Sequence, residues 1–131
     1  MPLLDHSGLI SDAIAFVPVA ELETALQSAG DNACLGAIVP VEADLDSLFP
    51  QLHAADAIAI NFAATGDGRG FSVAAALRDR GWCRPIRAVG PLIPDQFAFA
   101  LACGFDQVEI SDDQLARQPV KQWQNALASI K

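Results

Sequence analysis

Basic residues are scarce in this chain. Eight lysines and arginines face sixteen aspartates and glutamates over 131 residues, a formal net charge of −8. That balance argues against a nucleic-acid partner, because neutralising phosphates takes a basic surface. Cysteine and histidine are also few. Cys34, Cys83 and Cys103 are isolated, odd in number and form no C-x-x-C, while His6 and His53 stand alone. Neither a disulfide framework nor a structural zinc set can be assembled from that spacing. No apolar run approaches the length of a membrane span, and no basic stretch precedes an apolar one as in a leader. The expectation is a cytoplasmic protein with no membrane partner. Low-complexity tracts and linkers are missing too, and the only repetition is an alternation of strand-like and helix-like segments.

What is present is globular. Apolar residues make up 52% and charged residues 18%, enough to build one core, so residues 1–131 read as a single α/β domain. Residues 1–11 have no clear period and read as an irregular N-terminal arm. Strands are predicted at Ala13 to Val17, Cys34 to Val39, Asp56 to Phe62, Pro85 to Gly90 and Phe105 to Ile110. Pro18 and Pro40 stop the first two. Helices are predicted at Val19 to Ala29, Asp44 to Ala54 with Pro50 inside, Phe71 to Arg80, from Pro94 to the stop at Gly104, and through Val120, Trp123, Leu127 and Ile130. Gly30 and Gly81 sit where a left-handed C′ residue belongs.

Five strands alternating with helices predict a five-stranded, mostly parallel sheet. A three-layer arrangement with helices on both faces is the first expectation, and a partial β/α barrel with helices on one face is the alternative. Either way, right-handed crossovers gather the strand-to-helix loops on one edge. That edge comprises Pro18-Val19, Val41 to Asp44, the segment after the third strand, Pro91 to Gln96, and Ser111 to Asp113. Ligands bind such edges.

The segment after the third strand stands out. Gly66, Gly68 and Gly70 alternate with Asp67 and Arg69, and Ser72 follows at the expected helix start. Alternating glycines permit positive φ and close backbone approach. A helix N-terminus presents unpaired N–H groups, and an arginine fork suits a carboxylate, sulfate or phosphate. A small anion is the natural guest. The spacing is neither the dinucleotide fingerprint nor a P-loop. Pairing of Asp67 with Arg69, or simple capping, would account for the same residues. Arg87 lies inside a strand, where charge needs a partner, and Glu109 in the neighbouring strand is the obvious one. A structural ion pair and a site or oligomer interface are both open for it. Asp95 and Gln96, in the first turn after Pro94, join the candidates, although capping would explain Asp95. Cys103 precedes a helix C-terminus, where the dipole disfavours a thiolate. No flavin, haem or iron–sulfur pattern is visible, and no metal ligands are identified.

Asp67 to Ser72, Leu77-Arg78, Arg87 to Gly90, Asp95-Gln96 and Cys103-Gly104-Phe105-Asp106 also carry a resemblance, specific over roughly Asp56 to Ile110. In order and spacing they resemble bacterial proteins grouped as domain of unknown function family 934. Pro91 stands where that pattern has an acidic residue. The resemblance implies an oxidoreductase description tied to sulfite reduction, with no catalytic residues to carry over. The residues themselves supply no redox cofactor motif.

The first functional expectation is therefore an accessory or small-anion-binding protein of sulfur assimilation, with a sulfite-reducing enzyme as its partner. The second is an enzyme on a small sulfur- or phosphate-bearing substrate at the same edge, with Asp67 or Asp95 as acid or base. The third is a non-catalytic homo-oligomeric scaffold.

Overall fold

The structure, a computed structural model, describes residues 3–5, 7–11, 14–29, 34–42, 44–62, 68–90 and 92–128. The sequence expectations placed on Ala13, Gly30, Gly66, Asp67, Pro91 and Ile130 fall outside them. Strands run over β1 Leu3–Asp5, β2 Gly8–Ile10, β3 Ala15–Pro18, β4 Leu35–Val39, β5 Ala57–Asn61, β6 Ile86–Val89 and β7 Gln107–Glu109. Helices run over α1 Leu22–Ala29, α2 Leu45–Leu52, α3 Arg69–Asp79, α4 Pro94–Cys103, α5 Asp112–Arg117 and α6 Val120–Ala128, with a 3₁₀ turn at Val19–Glu21. None of these helices is long and apolar enough to cross a membrane.

The sheet has seven strands, not five, in the order β2-β1-β7-β6-β5-β4-β3. β3 to β7 are parallel. The expected N-terminal arm is instead an antiparallel hairpin whose first strand pairs with β7, Leu3 opposite Glu109. Leu3 and Leu4 are both buried there.

The strand order also replaces the three-layer expectation. From β3 to β7 each strand sits beside its predecessor and always on the same side. Right-handed crossovers that always step one way put their helices on one face. The buried core agrees. It joins Leu4, Ala37, Val39, Ile58, Ile60, Ile86, Ala88 and Val108, one alternation of the strands, to Leu22, Leu52, Ala74, Leu77, Phe97 and Trp123 of the helices. Trp123 anchors α6 there, edge to face with Phe97 at 5.5 Å, its indole N–H donating to the Gln118 carbonyl at 2.9 Å.

The opposite alternation, Gly36, Ala57, Ala59 and Arg87, stands outside that core yet is buried. Chain connectivity explains how. β2 and β3 are the two edges of the sheet, and only residues 11–14 join them. Laid flat, seven strands at about 4.8 Å spacing would separate those edges by about 29 Å. The five residue steps from Ile10 to Ala15 reach about 18 Å at most. The sheet must therefore roll, and the face without helices becomes its concave interior. Phe16 fills part of that interior by lying on Gly36, where a Cβ would stand 2.3 Å from its ring.

Candidate functional site

The carboxyl ends of β3, β4 and β5 surround a cavity of about 390 Å³. Pro18 ends β3, and Val19 and Ala20 follow in the 3₁₀ turn. Ile38 and Val39 close β4, and Pro40, Val41 and Glu42 follow. Asn61 is the last residue of β5, and Arg69 is the first of α3. The described lining residues are mostly aliphatic, with one amide, one carboxylate and one guanidinium among them. Size and lining suit a small molecule, for which cavities of roughly 300–1,000 Å³ are usual. Three of the five loops expected on the ligand edge contribute.

Local sequence explains the placement. Pro18 is the last residue of β3, and Pro40 directly follows β4. α3 begins at Arg69, two residues earlier than its apolar pattern indicates. Gly70 therefore belongs to the helix, and its lack of a side chain is a packing requirement: a Cβ there would lie 2.4 Å from the Phe62 ring. Gly68 precedes the helix at φ −80° and caps it without a side-chain bond. Neither Gly68 nor Gly70 takes positive φ, so the expected use of these two glycines for unusual backbone angles is not what the fold makes of them.

The remaining candidates separate. Ser72 is exposed one turn into α3 and does not line the cavity. Gln96 caps its own helix, its side-chain oxygen accepting from the Ile93 N–H at 3.1 Å. Asp95 is exposed beside it, complementing the α4 dipole. Neither shares the cavity with Arg69. Arg87 is in the rolled interior, 5% exposed. Its Nε donates to Gln107 Oε1 at 3.1 Å, its Nη1 to Glu109 Oε1 at 3.1 Å, and its Cζ stands 4.5 Å from the centre of the Phe16 ring. The Arg87–Glu109 partnership expected from the sequence is thus present. Turned inward, Arg87 offers little surface to an oligomer interface.

Asn61 and Glu42 are the polar cavity residues that sequence reasoning left out of the candidate set. Their signal was positional: each lies at or just beyond the end of an apolar strand. Burial pushes the Cys103 thiol above its ordinary pKa, away from a nucleophilic thiolate. Among the described residues, no group of three or more His, Cys, Asp or Glu side chains could hold a metal.

The family model described as "Bacterial protein of unknown function (DUF934)" matches residues 36–130. The chain belongs to this family. No curated protein matches it. The family match begins inside β4 and covers Asn61, Arg69, Arg87 and Glu109. Phe16, which covers Arg87, and the cavity wall at Pro18, Val19 and Ala20 come from the segment before it.

Proposed function

We propose that the protein binds a small anionic molecule at the carboxyl rim of its sheet and serves as a binding or accessory protein rather than a redox enzyme. The supporting observation is the rim cavity, which sets Arg69 at the first turn of α3 among aliphatic walls. A guanidinium beside the amides of a helix start favours an oxyanion or carboxylate. The family resemblance supplies the setting, sulfite reduction, and makes sulfite and sulfate the first ligands to try. Accessory binding is preferred to catalysis because Asp95 lies outside the cavity lining and burial holds Cys103 away from the thiolate form.

Thermal unfolding with sulfite, sulfate and phosphate tests this. A ligand at one hundred times its Kd adds about 2.7 kcal/mol, which raises Tm by roughly 10 °C in a domain of this size. Arg69→Ala should abolish that rise. A rise that survives Arg69→Ala would place binding elsewhere, and no rise with any anion would remove the proposal.

A further inference from the structure

We propose that the ligand of the rim cavity is a zwitterion, carrying a cationic group as well as an acidic one. This rests on the anion site proposed above and specifies its occupant. Among the described lining residues two carry charge, Arg69 and Glu42. Glu42, in the turn after β4, lines the same space and is exposed there, and it forms no ion pair with another described residue. A bare anion seated on Arg69 would share the cavity with that carboxylate and be repelled by it. A molecule bearing an ammonium at its other end would turn the same carboxylate into a partner. Asn61 adds an amide that can donate to the acid or accept from the amine. Pro18, Ile38 and Val41 supply aliphatic wall for a short carbon linker.

The whole-molecule charge points the same way. At a formal −8, the protein repels anions at long range. A ligand with no net charge escapes that repulsion while keeping both local contacts. The chemical class is a small amino acid or aminosulfonate, with its acid toward Arg69 and its amine toward Glu42.

Calorimetric titration of the full chain decides this. The probes are 2-aminoethanesulfonate and 3-aminopropanesulfonate, each compared with the sulfonate lacking the amine. The wild type should bind at least one aminosulfonate about fivefold or more tighter than its amine-free partner, the factor one exposed charge pair supplies. Glu42→Gln should bring the pair to equal affinity without weakening the plain sulfonate, and Arg69→Ala should abolish binding of both. Equal affinities in the wild type, or a preference that survives Glu42→Gln, would overturn the zwitterion while leaving the anion site standing. Absence of Arg69-dependent binding by every probe would overturn both.

Discussion

At the amino end of the parallel strands, side chains are spent on closing turns. Arg78 donates to the carbonyls of Gly104, Trp82 and Arg84 and pairs with Asp106 at 2.6 Å. Arg84 donates to the carbonyls of His53 and Ala55. Asp106 accepts from the Ile86 N–H and Asp56 from the Leu35 N–H, both at 2.9 Å, so an aspartate just before one strand ties down the start of its neighbour. At the carboxyl end, the turns after β3 and β4 part from the start of α3 and leave a cavity holding Arg69, Glu42 and Asn61. Both ends use arginine. At one end the arginines bond to backbone carbonyls, and at the other Arg69 lines a space large enough for a guest. Division of labour between the two ends of such a sheet is general: the amino end carries stability and the carboxyl end carries function.

Substitutions can break that contrast or sharpen it. Arg87→Ala should act most strongly, because it leaves Glu109, only 24% exposed, without its partner inside the rolled sheet. Denaturant unfolding should report a loss of about 3 kcal/mol. Arg78→Ala comes next, at about 2 kcal/mol, since several carbonyls lose a charged donor at once. Gly36→Ala pushes a methyl into the Phe16 ring and should cost about 1 kcal/mol, with the ring displaced from Arg87. Arg69→Ala, at an exposed position, should cost no more than about 1 kcal/mol while losing ligand binding. If its stability cost matched that of Arg78→Ala, the two ends would not differ in role. Chemical labelling gives the smallest contrast. With its pKa raised by burial, Cys103 holds less thiolate near pH 8 than an ordinary cysteine, and it should react with an alkylating reagent more slowly than exposed Cys34 or Cys83. Faster labelling of Cys103 would contradict the placement of α4.

Much of this was legible in the residues. Pro18, Pro40 and Gly81 marked real boundaries, and Gly81 takes φ +96° with the Trp82 N–H returning to the Leu77 carbonyl. The partnership of Arg87 with Glu109 followed from putting a charge in a buried strand. Other features left no local trace. Strands of three residues, such as Leu3–Asp5 and Gly8–Ile10, are too short to show a period, and each exists because of its neighbour in the sheet. Glycine at position 70 argues against helix by propensity, and only Phe62 packed above it explains why the helix includes it. Arg78 looked like ordinary charge in a last helical turn. Its partners Gly104 and Asp106 lie 26 and 28 residues further on. The layer count depended on strand order, which repeats of strand and helix leave open. Several residues that carry the family resemblance, Arg78, Gly104 and Asp106 among them, are framework at the closed end, so that resemblance specifies the fold more firmly than the chemistry.

The pairing of Leu3 with Glu109 also sets a timetable. During synthesis the first strand emerges when Glu109, its partner in β7, is still more than a hundred residues from being made, and until then it can pair only with β2. A contact that spans so much of the sequence makes for slow closure. The N-terminal hairpin therefore cannot seat on the sheet before β7 is made, and a nascent chain stalled short of β7 would leave Leu3 and Leu4 without their place in the core.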